Sequence, residues 1–383
     1  MRQRSVAIVH KFIPDYRVPF YSELLSRCAA ADIDLSIIHG DGDGADRTKG
    51  YLRYPPFGRL IPNRLLQLGN VQLIWQGAFE AVRGKDLVIA PQLNKFLINY
   101  LFLARQAARL QKFAFWGQGR NPHARNPNSA SEAVKRRLLR LPHWWFAYTE
   151  GTAGHLREAG FPADRITVVQ NAIDTSALTK VARETTARDL GEIRERLSTS
   201  SENICLYVGA MYREKRLEFL MEACDRVKRR VDDFHMVFVG TGPDEEMIRG
   251  YCAERRWTTC HGRASEEEKI RYGLLAKLML MPGSVGLVVL DSLALGLPLV
   301  TTDVQLHGPE IEYLQDGVTG AIVSPCDDVQ AYADRIAALL ERPAERAEMA
   351  ERCRDVGRSF TIEEMAERFF SGITGALDAP PRG

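Results

Sequence analysis

Short apolar runs recur along this chain every ~25–35 residues, separated by stretches of helical period, and that rhythm predicts parallel βαβ units. In the first half the strand-like runs are Ser5–His10, Ile33–Ile38, Leu87–Ala90, Phe113–Trp116, Trp145–Tyr148 and Ile166–Val169. In the second they are Ile204–Val208, Met236–Val239, Leu278–Met281, Leu299–Thr302 and Ala321–Val323. Between the two sets, residues 176–203 are polar and charged and are read as a linker. The pattern therefore predicts two doubly wound α/β domains, residues 1–175 and 204–360, facing a central cleft. Such folds bind ligands at the carboxyl ends of their strands.

One strand end carries the densest chemical signal. After the apolar run Leu278–Met281 comes Pro282-Gly283-Ser284-Val285-Gly286, then Leu287, Val288, Leu290, Leu293 and Leu295 at helical spacing, then Gly296 and Pro298. Gly283 and Gly286 let the backbone approach a ligand closely, and the helix that follows presents unpaired N–H groups and its positive dipole end. A diphosphate fits that environment. Asp291 lies one turn in, placed to accept hydrogen bonds from ribose hydroxyls.

Four further segments flank it in order: Val208-Gly209-Ala210-Met-Tyr-Arg213-Glu-Lys215, Val239-Gly-Thr-Gly242, Thr302-Asp303 with Gly308-Pro-Glu310, and Asp316-Gly-Val-Thr-Gly320. Over residues 204–340 this series resembles the nucleotide-binding domain of the retaining glycosyltransferases of family four, which have the GT-B fold of two Rossmann-like domains. Its variant Pro-Gly-x-Val-Gly-Leu start is similar to that of bacterial surface-polysaccharide transferases. The resemblance implies that Lys215 and Arg213 act on the leaving diphosphate, and that Gly209, Arg263, Gly283, Gly286, Leu287, Val288, Asp291 and Glu310 line the donor. Ala210 stands where the family has arginine. Gly283 stands where it has the first of two acidic residues eight apart, the one that touches the transferred sugar. The resemblance also implies that the last helix, opening at Phe360-Thr361 and running with the tail over 361–383, crosses back to the first domain.

In the first half, Tyr16-Arg17-Val-Pro19 resembles a segment at the acceptor side of such transferases, and Arg17 is read either as pairing with an acceptor anion or as facing solvent. Phe115-Trp116-Gly-Gln118-Gly-Arg120 ends another strand; Trp116 and Arg120 are expected at the acceptor. Gln118 replaces a histidine common in the family, so it orients hydroxyls rather than moving a proton. Gly40-Asp-Gly-Asp-Gly-Ala45 fits a dinucleotide fingerprint in letters only: Asp41 and Asp43 would repel a pyrophosphate, and no apolar helix follows. A loop is expected there.

The 383 residues are 45% hydrophobic and 26% charged, with no apolar run of the ~20 residues a membrane span needs. Seven scattered cysteines without a Cys-x-x-Cys pair, and an N-terminus without a long apolar core, point to the cytoplasm. No metal-ligand pattern occurs and none is expected. Residues 1–175 carry 24 Lys and Arg against 14 Asp and Glu, a net of +10. That excess suggests an anionic partner. Lys135, Arg136, Arg137 and Arg140 before Trp144 and Trp145 are read either as a helix docking on anionic lipid at the inner face of the membrane or as a basic helix before a buried strand. No nucleic-acid module is visible.

The reading that follows is a transferase moving sugar from a nucleotide sugar, UDP-linked rather than GDP-linked, to a glycan or lipid-linked acceptor of the bacterial envelope. It needs no cofactor. A non-catalytic nucleotide-binding subunit, or a GT-B epimerase, stays open beside it.

Overall fold

A computed structural model describes residues 2–43, 52–69, 71–119 and 137–382, which form two compact units, one of residues 1–173 with 362–383 and the other of residues 174–361. The first is built on strands β1 (Arg4–His10), β3 (Ile33–His39), β5 (Gly58–Leu60), β8 (Leu87–Pro91), β9 (Lys112–Gly117), β10 (Trp144–Ala147) and β11 (Ile166–Val168). They form one parallel sheet in the order β11-β10-β9-β8-β1-β3-β5. Two-residue strands β2 (Ile13–Pro14) and β4 (Leu52–Arg53) pair with each other, and β6 (Asn63–Leu68) with β7 (Val71–Gln76) makes an antiparallel hairpin.

Strands β8 and β10 are buried along their whole length because helices cover both faces, which is why they read as continuous apolar runs rather than alternating ones. One face packs on the helices Val18–Ala30 and Ile362–Asp378, the other on Ile98–Ala107 and Glu150–Glu158. The helix Ile362–Asp378 buries Ile362, Met365, Ala366, Phe369, Gly372, Ile373 and Ala376, a stripe at i, i+3, i+4 spacing. Phe369 stacks on Phe146 at 4.2 Å and meets Trp116 edge-on at 4.9 Å. A Cβ on Gly372 would come within 2.6 Å of Phe146 and 2.7 Å of Thr167, so only glycine lets the helix lie this close.

The second unit carries β12 (Asn203–Val208), β13 (Phe234–Val239), β14 (Thr258–Gly262), β15 (Leu278–Leu280), β16 (Leu299–Thr302) and β17 (Gly320–Val323), parallel in the order β14-β13-β12-β15-β16-β17. The expected linker is corrected here. Residues 176–203 include helices Ser176–Glu184 and Ala187–Arg196, which pack on the helix Glu266–Leu275 inside this unit. The second starts with a capping box between Thr186 and Asp189. Only Leu178 and Ile193 of these helices are buried, so the segment's composition is dominated by its wet face.

Candidate functional site

In the second unit the site is assembled where the loops after β12 and β15 meet. Beyond β12, Gly209 and Met211 donate to the carbonyls of Val239 and Thr241, both at 2.9–3.0 Å, which ties this loop to the one after β13. The chain then makes the short 3-10 turn Arg213–Lys215, and Arg216 takes a left-handed conformation at φ 56° before the helix Leu217–Arg230. Arg216 is a structural residue that the sequence reading passed over. Its guanidinium donates to the Cys326 carbonyl at 2.6 Å and to the Thr302 hydroxyl at 3.1 Å, and its plane lies over Phe219.

Beyond β15, Gly283 lies directly on the backbone of Glu214 and Lys215; any Cβ there would overlap both. Ser284 N–H donates to the Glu214 carbonyl at 2.9 Å, and the Lys215 ammonium donates back to the Ser284 carbonyl. Gly283 is therefore glycine for a steric reason: in this backbone arrangement no acidic side chain fits. The loop 303–310 closes the other side. The Ser284 hydroxyl donates to the Leu306 carbonyl at 2.7 Å, Val285 N–H to His307 Nδ1 at 3.2 Å, and Gly308 N–H to the Val285 carbonyl at 2.7 Å. The buried Glu310 places its carboxylate beside Gly286 and Gly308.

This lattice holds the start of the helix Val288–Leu295 in place and leaves its donors free. Among the described residues no protein group accepts the N–H of Gly286, Leu287 or Val288. The Lys215 ammonium is tethered at the same turn. Burial pulls its pKa below the ordinary lysine value, and Glu214 opposes the shift. A cation and three outward N–H groups at one helix start make an anion site of phosphate character.

Asp291, one turn further, is half-buried and receives no hydrogen bond from a described residue. Burial, with the Glu266 carboxylate second and Lys269 opposing, pushes its pKa up to about 7. A desolvated carboxylate without a donor is suited to hydroxyl groups brought by a ligand. Arg213 and Arg263 are exposed, neither held by a described residue; Arg263 follows Gly262 at the end of β14. Among the described residues no group of three or more His, Cys, Asp or Glu comes together to hold a metal ion.

The first unit treats its expected residues differently. Arg17 is 4% exposed. It donates to Asn171 Oδ1 and to Met365 Sδ, and lies over the rings of Tyr16 and Trp116 at 5.1 and 5.2 Å. It therefore does not face solvent. Trp116 is 1% exposed and packed against His10, Phe20, Tyr21, Tyr148 and Phe369, so it is core and not a sugar platform. His10, half-buried beside it, is pushed down to about 3, first by burial and then by the Arg17 charge. Gln118 is half-buried just past β9, ahead of Gly119 at φ 69°, with no hydrogen bond to a described residue. Arg120 lies outside the described residues.

Of the two readings of the segment 135–145, a lipid-docking helix or a basic helix before a buried strand, the tryptophans follow the second. Trp144 and Trp145 are buried, their indole N–H groups donating to Thr167 Oγ1 and to the Leu139 carbonyl, each at 2.9 Å. Arg140 is turned onto the Ala159 carbonyl. Lys135 and Arg136 lie outside the described residues. At Gly40–Gly42 the backbone is stitched to His10 and Lys11, and Asp43 is buried 3.4 Å from the Lys11 ammonium.

The model of the family described as Glycosyl transferases group 1 matches residues 191–357, the whole of this lattice. Over those residues the chain is similar to glycosyltransferases of that family. It is 32% identical over 201 residues to α-D-kanosaminyltransferase of Streptomyces kanamyceticus, 51% of this chain and 50% of that one. It is 26% identical over 214 residues to N-acetyl-α-D-glucosaminyl L-malate synthase of Bacillus anthracis, 54% and 53% of the two chains. The chain thus spans about half the length of the curated relatives it matches. Over nearly its full length, 97% of this chain and 99% of the other, it superposes on HepE of Anabaena solved with UDP, at a TM-score of 0.70 and 14% identity. That similarity establishes the fold: two Rossmann-like α/β domains of the GT-B type.

Proposed function

We propose that this protein transfers a sugar from a nucleoside diphosphate sugar, UDP-linked, to a glycan or lipid-linked acceptor in bacterial envelope synthesis, with retention at the anomeric carbon. The observation that carries this reading is the Lys215 ammonium held at the turn whose Gly286, Leu287 and Val288 N–H groups have no protein partner. Fixed donors at that point stabilise the diphosphate as the bond from the anomeric carbon to its oxygen breaks and negative charge accumulates. The acceptor oxygen bonds to the same face of the anomeric carbon. The departing diphosphate oxygen takes the acceptor proton, and the products are glycoside and nucleoside diphosphate. In this reading Asp291 receives the ribose hydroxyls, Arg263 lies at the base, Arg213 adds to the diphosphate clamp, and Gln118 orients the transferred sugar. Support for the nucleotide comes from HepE, solved with UDP, and support for the chemistry from the two similar proteins, a kanosaminyltransferase and an N-acetylglucosaminyl malate synthase.

No described helix is long and apolar enough to cross a membrane, so contact with a lipid-linked acceptor at the inner membrane face would be peripheral. A thermal-shift screen of UDP- and GDP-sugars tests the donor assignment. A donor at ~100 times its dissociation constant adds ~2.7 kcal/mol. The activity itself is read as release of nucleoside diphosphate that depends on an added acceptor. Stabilisation without release in any acceptor pool would favour the non-catalytic subunit, a reading that Gly283 keeps specific: no carboxylate can stand where the family touches the sugar.

A further inference from the structure

The hairpin β6–β7 of the first unit is the most apolar exposed feature of the described surface. Leu65, Leu66, Leu68 and Val71 are 42%, 48%, 71% and 56% exposed, and Leu60 on the adjoining edge strand β5 is 47% exposed. Its register pairs Leu68 with Val71, Leu66 with Leu73, and Arg64 with Trp75. Directly opposed residues share a face, and the face alternates along each strand. One face therefore carries four aliphatic side chains toward the tip, with a cation and an indole at its base. The pairs Gln67–Gln72 and Asn63–Gln76 take the other face, with Leu65 and the buried Ile74 between them.

The base is anchored firmly. Gln76 donates to the His10 and Ile61 carbonyls at 3.2 and 3.1 Å, and Asn63 to the Lys11 carbonyl at 2.8 Å. His10 ends β1, so the hairpin stands at the carboxyl edge of the sheet. From the Arg64–Trp75 pair to the tip the apolar face rises ~13 Å, four residues at ~3.4 Å each. Charge reinforces the pattern. Arg59 and Arg64 are exposed with no ion pair to a described residue, and residues 47–79 contain five Lys or Arg and no Asp or Glu.

We propose that this hairpin is the protein's bilayer contact: Leu66, Leu68, Val71 and Leu73 enter the headgroup and acyl boundary of an anionic membrane, while Arg59, Arg64 and Trp75 sit at its surface. Aliphatic tip, aromatic belt and cations in that sequence match the polarity gradient of a lipid interface. A second copy of the chain would cover the apolar face equally well, but two copies would bring Arg59 and Arg64 of each against an equally basic hairpin. Anionic lipid satisfies both the area and the charge. The inference rests on the proposed lipid-linked acceptor, since the contact would set the carboxyl edge of the first sheet at the membrane.

Vesicle sedimentation with phosphatidylglycerol–phosphatidylcholine mixtures, against phosphatidylcholine alone, tests it. The wild type is expected to bind the anionic vesicles, with a salt-sensitive and a salt-resistant part. Leu66→Ser with Leu68→Ser should lower the partition coefficient roughly 100-fold and remove the salt-resistant part. Arg59→Gln with Arg64→Gln should lower it ~10-fold or more at low salt and little at high salt. Trp75 emission, isolated as the difference from Trp75→Phe, should shift to the blue on binding. Equal binding by wild type and the leucine variant, or no binding by the wild type, overturns the proposal. So does a wild-type dimer that the leucine variant turns into a monomer. Far-ultraviolet circular dichroism confirms that the variants fold. Stabilisation by UDP-sugars without vesicles reads the donor site alone, so failure of the hairpin and failure of the transferase reading give different results.

Discussion

The two units use their charged and aromatic residues in opposite ways. In the second, the groups at the strand ends are held in place yet left with open valence: Lys215 is tethered, Gly286, Leu287 and Val288 keep free N–H groups, and Asp291 has no donor. In the first, Arg17 and Trp116, two of the residues expected at the acceptor, are packed into the core. Arg17 is bonded to Asn171, and Trp116 lies among five rings. A polar residue at the carboxyl end of a strand is thus a candidate for function only if the structure leaves it unsatisfied. The difference also indicates where rigidity is supplied. In the second unit the loops at the strand ends are held by backbone hydrogen bonds between them, and the first unit is held by a core that includes the last helix.

The strongest way to break this comparison is at the core. Phe369→Ala removes a ring stacked on Phe146 and should destabilise the first unit by ~3–5 kcal/mol. Thermal denaturation with and without UDP separates the units. A lower first transition with nucleotide stabilisation preserved is expected; simultaneous loss of both would show that the helix also supports the donor site.

Lys215→Ala should leave folding nearly intact and lower turnover ~10²–10³-fold, because the ammonium is worth most as diphosphate charge develops. Steady-state release of nucleoside diphosphate measures this. Turnover at the wild-type rate would reduce Lys215 to a loop tether.

Arg17→Met sharpens the contrast from the other side. Loss of the buried guanidinium, with its bonds to Asn171 and Met365, should cost ~2–3 kcal/mol of first-unit stability, with nucleotide affinity unchanged. An acceptor KM raised without any change in denaturation midpoint would restore Arg17 to the acceptor side.

Asp291 gives the smallest and most pH-dependent effect. Its folded-state pKa of about 7 exceeds the ordinary 3.8, so the folded protein binds this proton more tightly than the unfolded chain does. Its contribution to stability is therefore greatest at low pH, declines as pH rises from about 4 to about 7, and is flat above. Asp291→Asn should remove that slope and stabilise the ligand-free protein by ~1–2 kcal/mol at pH 8, a figure discounted for the half-exposed side chain. The same change should weaken UDP binding ~10-fold, read by titration calorimetry. Parallel pH profiles of variant and wild type would remove Asp291 as the titrating group.

The strand-like runs of the two sheets, the doubly wound architecture and the glycine-rich helix start after β15 were legible in the sequence, because each rests on local pattern. Buried parallel strands need uninterrupted apolar runs, and a helix start at a strand's carboxyl end needs glycine and a helical period close by. What the sequence left open depends on contacts distant along the chain. Whether Arg17 meets solvent, an acceptor or Asn171 is decided by residues 154 positions away, and Gly283 is explained only by the Glu214–Lys215 backbone against it. Trp144 and Trp145 could be read as membrane anchors or as a buried strand, and the sheet and the last helix bury them. The hairpin β6–β7 went unread for the complementary reason: with one apolar face exposed, its leucines make no core signal, and only the register shows that they stand together. Local chemistry is written in the chain, but whether a given side chain is spent or available is a property of the packed whole.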